Sequence, residues 1–280
     1  MPPAQAALKT VAKAAKNGGE AMIRGLYTSA LGMTTQMNKM DIISNNIANV
    51  NTTGYKKDGV ITQSFSEELM KFMDSAEGKK SMLSGVQSVG KFSHGLFVDN
   101  IYTNFSNGSL KGTSGPLDCA VSGSGFFVIE KLNDNGEATE KYTRDGAFTI
   151  GAEGYLSTKD GDAVMGMNGK IAIPNGNISI TDNGDVYVNS ELIDRLKLVD
   201  FEDKTALRKE GSNLYSTLEG TEASAFKGKI EQGFLEASNV NSVNEMIELI
   251  NISRTYEANQ KMIQSHDSTL SKAVNEIGSR

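Results

Sequence analysis

The chain has 280 residues, enough for one large domain or two smaller ones, and its 38% hydrophobic and 22% charged residues suit a folded protein with a sizeable core. A net charge of -6, with no long run of like charges, excludes the basic stripe of a nucleic-acid binder. The single cysteine, Cys119, excludes an intramolecular disulfide and a cysteine-rich zinc site, and no stretch reaches the roughly 20 apolar residues of a membrane span.

Residues 1–21 form an Ala- and Lys-rich leader without a strong apolar stripe. Lys9, Lys13 and Lys16 are followed by no apolar segment, so the leader is not a secretory signal, which by itself reads as a cytoplasmic chain. Gly18-Gly19-Glu20 is also what a ribosome-binding sequence encodes when read in frame, which makes Met22 the expected start. The alternative is a genuine Ala-rich leader helix.

From Ile23 the apolar positions step by three and four. Ile23, Leu26, Ala30, Met33, Met37, Met40 and Ile47, with Ser44 as the polar interruption, spell the seam of a coiled coil. The helix is expected to stop near Asn49–Thr53, with Gly54 free to take the left-handed conformation. Residues 56–94 read as an irregular connector, in which Phe65, Leu69, Phe72 and Met73 suggest one short helix.

Glycine is concentrated in the next segment, with alternating apolar runs bounded by turn pairs. Runs at Phe126–Glu130, Tyr142–Arg144, Phe148–Ile150, Asp185–Asn189 and Leu196–Phe201 read as antiparallel strands. Asp145-Gly146, Asp160-Gly161, Asn175-Gly176 and Asn183-Gly184 read as their turns. Ser242 and Glu245 then form a capping box. Behind it a seam runs through Leu249, Ile252, Tyr256, Asn259, Ile263, His266, Leu270, Ala273 and Ile277, widened by Val243, Ile247 and Ile250. A helix over 242–277 is about 50 Å long.

The fold class expected is therefore α+β. Long N- and C-terminal helices (22–55 plus 234–280) form a coiled-coil-like inner domain, and residues 95–233 form a central, Gly-rich, antiparallel all-β domain.

Reactive constellations are missing. His94 and His266 are the only histidines and match no zinc spacing with Cys119. Gly123-x-Gly125 lacks the third glycine of a dinucleotide loop, and Asp160, Asp162, Asp182 and Asp185 lack calcium-loop spacing. Catalytic, cofactor and metal sites are all read as none, and no small-molecule ligand is expected.

Three stretches carry a family resemblance. MIRGLYTSALGM (22–33) runs into SNNIANVNTTGYKK (44–57), whose Ala48, Asn49, Thr52, Gly54, Tyr55 and Lys56 form an Asn-rich signature. SGSGFFVI (122–129) precedes YTRDGAF (142–148), and GFLEASNVNSVNEMIELINISRTYEANQKMI (233–263) closes the chain. In that order they resemble the flagellar rod and hook family of axial proteins, most closely its proximal and distal rod subunits.

The resemblance implies a structural subunit of the bacterial flagellar basal-body rod that polymerises through its terminal helices into a tube. That tube would transmit torque and form the export channel. It also implies export by the flagellum's own secretion apparatus without a cleaved signal. Partners would be copies of itself, neighbouring rod and hook subunits and the export apparatus, with neither nucleic acid nor membrane insertion.

A hook-type axial protein is the nearest alternative. A cytoplasmic coiled-coil adaptor would stay in the cytoplasm both with and without the export apparatus, and a wall-remodelling hydrolase would need a nucleophile or metal cluster. If translation starts at Met22, mass spectrometry of the native protein will show no peptide from residues 1–16; recovery of one refutes the assignment.

Overall fold

The computed structural model describes residues 3–64, 95–132, 136, 138–211, 213–218 and 220–277. His94 and the helix suggested by Phe65, Leu69, Phe72 and Met73 lie outside them. Side chains are described from residue 25 onward, which leaves out that of Ile23, and those of Ala273 and Ile277 are left out as well.

Two helices bracket the strands: α1 over Pro3–Ala48 and α2 over Ser242–Ile277. The chain divides into two compact units. One comprises Met1–Ile43, Val60–Ile101 and Ile247–Arg280, and the other Ser44–Gly59 and Tyr102–Met246.

The strand-rich unit is built around the strand Phe126–Leu132. It pairs antiparallel with Ala138–Thr143, with Ala163–Val164 and with Leu198–Asp200. Ala138–Thr143 continues to Leu214–Thr217 and then Leu207–Glu210, while Ala163–Val164 continues to Leu156–Ser157 and Thr149–Ile150. A separate meander joins Ile178–Ile180, Asp185–Val188 and Glu191–Arg195. Two ribbons complete the unit, Cys119–Ser122 with Lys229–Gln232 and Leu110–Gly112 with Phe234–Glu236.

Adjacent strand side chains point to opposite faces, so Phe126 and Phe127 serve two different clusters. Phe127 packs with Cys119, Ile129, Leu156, Leu196 and Ile230, its ring edge-on to Phe148 with centroids 5.0 Å apart. Phe126 joins Phe201, Leu207 and Tyr215, its centroid 5.6 Å from that of Tyr215. Both faces of this strand are covered, which is why Phe-Phe-Val-Ile is a continuous apolar run and does not alternate.

The expected coiled-coil-like inner domain is not formed, and the fold reading holds only for the helix at each end and the central antiparallel region. In the helix-containing unit, α1 and α2 approach one another where glycines of α1 meet polar side chains of α2. A Cβ at Gly25 would lie 2.7 Å from His266 Nε2, and one at Gly32 would lie 3.0 Å from Asn259 Nδ2. Thr35, also buried, places its hydroxyl 2.9 Å from the carbonyls of Leu31 and Leu96. Among the described side chains of α1 the buried ones are Ser29, Thr35, Ile43 and Asn46, a different face from the expected seam.

Two local expectations also change. Asn241, not Ser242, caps α2: its Oδ1 accepts from the backbone N–H groups of Val243 and Asn244, each at 3.1 Å. Asp145-Gly146 is not a hairpin turn, because Ala138–Thr143 pairs with Phe126–Leu132 and Leu214–Thr217 and not with Thr149–Ile150.

Cys119 is fully buried in the larger apolar cluster. Burial, reinforced by the Asp118 carboxylate, pushes its thiol up to about 12, so almost no thiolate exists at neutral pH. Iodoacetamide at pH 8 is expected to leave the folded protein unmodified and to label it fully in strong denaturant. Rapid labelling of the native state would place the thiol outside the core.

Candidate functional site

The most unusual chemistry of the strand-rich unit lies inside it. Glu236 ends the strand Phe234–Glu236, and its carboxylate is 1% exposed. It receives Lys56 Nζ at 2.6 Å and Arg144 Nη1 at 3.4 Å, and both cations are equally buried. The backbone N–H of Gly108 donates to the same Oε1 at 2.9 Å.

Two further donors of the cations are directed to the main chain, while Arg144 Nε is buried without a hydrogen-bond partner among the described residues. Lys56 Nζ also donates to Ser106 O at 2.9 Å, and Arg144 Nη2 to Gly123 O at 2.8 Å. The Arg144 guanidinium lies 5.2 Å from the centroid of the Phe126 ring. Burial draws Lys56 and Arg144 below their ordinary ranges, and Glu236 opposes that shift in both. Two cations and one carboxylate out of water are costly unless each stays paired, and here each is.

Local backbone geometry brings these groups together. Gly54 has a φ of +67°, and its N–H donates to Glu236 O at 2.9 Å. A Cβ there would come within 2.4 Å of the Asp145 nitrogen, so only glycine lets the loop reach the strand. Thr53 Oγ1 donates to Asp145 Oδ1 at 2.6 Å, and Asp145 Oδ1 also accepts from Ala147 N at 3.1 Å.

A second layer of polar contacts adjoins this site. Tyr55 and Asn46 are buried, and the Tyr55 hydroxyl donates to Asn46 Oδ1 at 3.1 Å. Lys209 Nζ sits 3.7 Å from the Tyr55 ring centroid and donates to Asp58 Oδ2 at 2.8 Å. Lys57 pairs with Glu245 in the first turn of α2, and its backbone N–H donates to Asn239 Oδ1 at 2.8 Å. Among the described residues no cluster of His, Cys, Asp or Glu is placed to hold a metal, and no helix is long and apolar enough to cross a membrane.

Comparison with known proteins bears on the same segments. Residues 26–56 match a family described as flagella basal body rod protein, and residues 120–188 match the flagellar hook protein FlgE/F/G D1 domain. Residues 231–276 match the flagellar basal body rod FlgEFG protein C-terminal family. The flagellar basal-body rod protein FlgF of Caulobacter vibrioides is 33% identical, aligned over 92% of this chain and 99% of its own length. FlgG of Borreliella burgdorferi is 33% identical over 91% and 98%, and FlgG of Bacillus subtilis is 34% identical over 91% and 99%. This chain belongs to the flagellar basal-body rod protein family.

Each matched segment of this rod-family chain sends a residue into the buried ionic site: Lys56 from the first, Arg144 from the second and Glu236 from the third. Of the signature residues, Gly54, Tyr55 and Lys56 are buried, Lys56 in the ionic site and Tyr55 in the adjoining polar layer. Asn49 and Thr52 bond one another beyond the end of α1, Thr52 Oγ1 to Asn49 Oδ1 at 3.2 Å, and Ala48 is exposed.

The apolar positions singled out on the helices are distributed differently. Ile252 is buried, and Leu26, Met33, Met40, Ile47, Tyr256, Ile263 and Leu270 are partly buried. Met37, Val243, Ile247 and Ile250 are 52%, 63%, 54% and 50% exposed.

Sequence reasoning missed Asn46, Arg144, Glu236 and Glu245 as site residues. A usable signal existed for one of them, since Glu236 is the single charge in the short apolar strand Phe234–Glu236. Glu236→Gln removes the one carboxylate between two buried cations and is expected to cost about 3–5 kcal/mol, read from urea unfolding. Gly54→Ala is expected to cost more than about 1 kcal/mol. Unchanged urea midpoints in both variants would show that the site does not hold these segments.

Proposed function

We propose that this chain is a structural, non-catalytic axial subunit of the flagellar basal-body rod that polymerises through its terminal helices. Family membership supports the location. The single observation that carries the mechanism is the apolar stripe Val243, Met246, Ile247 and Ile250, four side chains at least half exposed on the opening turns of α2. Their spacing puts them on one face of the helix, while Glu245 and Ile252 on the other side are buried.

Burying a side chain of this size gives about 1.5–3 kcal/mol, so a face of four exposed in water favours contact with another copy. Contacts repeated from copy to copy with a rotation that does not close generate a helical tube. Such a tube of subunits would carry torque and enclose the channel through which later subunits pass. The partners in this reading are further copies, adjacent rod and hook subunits, and the flagellar export apparatus that delivers the chain without a cleaved signal peptide.

Ile250→Asp places a charge on that stripe without touching the strand core. The purified variant is expected to stay soluble and to unfold at the wild-type urea concentration, while cells carrying it lose rods in isolated basal bodies and stop swimming. Normal swimming with normal rods would overturn assembly through this face.

A further inference from the structure

We infer that Asn46 is a positioning residue that locks the last turn of α1 to the first turn of α2, an assignment that rests on the assembly role proposed above. An amide side chain has two donors and two acceptor lone pairs, and Asn46 uses all four. Its Oδ1 accepts from the Tyr55 hydroxyl at 3.1 Å and from Asp58 N at 3.0 Å. Its Nδ2 donates to Asp58 O at 2.9 Å and to Glu245 Oε2 at 3.4 Å. The side chain is 0% exposed on a helix whose apolar pattern gives no reason for an amide there.

The bond to Glu245 gives this amide a role beyond filling the interior. Glu245 stands in the first turn of α2 and is 1% exposed, with its other oxygen on Lys57, whose side chain is one-third exposed. Without Asn46 the carboxylate keeps one partner that is itself partly in water, and it gains by turning toward solvent. The first turns of α2 then open while the Asn241 cap stays in place. Those are the turns that carry Val243, Met246, Ile247 and Ile250, so their presentation to another copy depends on this one amide. No aliphatic or carboxylate side chain offers the same two donors beside two acceptors.

Hydrogen exchange on the full-length monomer tests the assignment. Asn46→Ala is expected to speed exchange of amides 245–251 about tenfold or more, and to leave strand amides 126–131 unchanged. Glu245→Ala should do the same, and the double variant should be no faster than either single one. If Asn46→Ala does not fold, Asn46→Asp carries the test, because it keeps the oxygen that accepts from Tyr55 and Asp58 but sets a second carboxylate against Glu245. Unchanged exchange at 245–251, an equal rise in the strand, or additive effects in the double variant would each overturn the inference. A wild-type chain that forms no polymer would instead overturn the assembly reading and leave the exchange result standing.

Discussion

The fold of the strand-rich unit is organised by one carboxylate held between two cations away from water. Glu236 lies 180 residues from Lys56 and 92 from Arg144, so no local structure brings them together. Pairing offsets the penalty that any one of the three would incur alone, and it does so only when the loop at Gly54, the segment at Arg144–Asp145 and the strand ending at Glu236 come together. A well-packed apolar cluster would supply at least as much stability. What the ions add is direction, since a carboxylate with two fixed partners tolerates far less sliding than aliphatic side chains do. Lys56 and Arg144 contribute differently: the ammonium reaches a single oxygen and the Ser106 carbonyl, while the flat guanidinium also stacks near Phe126.

The same division between directional and non-directional contacts recurs toward the ends of the chain. Asn46, Lys57 and Glu245 use oriented hydrogen bonds inside. Outside, the opening turns of α2 expose aliphatic and thioether groups that accept many packing geometries. Polar contacts inside and apolar ones outside suit the proposed assembly, in which the interior is unique and the surface meets further copies.

Helix existence was legible because hydrophobic period reports on neighbours three and four residues away, and both helices carry that period. The direction each stripe faces was not. Val243, Ile247 and Ile250 widen the apolar face of α2 and are exposed, and a helix bearing apolar residues on two sides does not itself say which side meets protein and which meets water. On α1, small and polar groups such as Ser29 and Thr35 occupy the buried face, and Gly25 and Gly32 allow His266 and Asn259 to come close. Coiled-coil logic, which weighs only large apolar residues, passes over such contacts. The reassigned cap has a similar cause: Ser-x-x-Glu satisfies the local rule, but Glu245 gains more from Lys57 and Asn46 than from its own backbone.

The sequence alone determined the element types, the antiparallel central region and the family, since each rests on spacing within a short window or on the order of a few motifs. Only the tertiary structure decided that Lys56, Arg144 and Glu236 share one buried site and that Asn46 joins the two helix ends. Charge pairing depends on distance in space, and a chain that returns to the same point after many strands leaves no trace of that return in its local pattern.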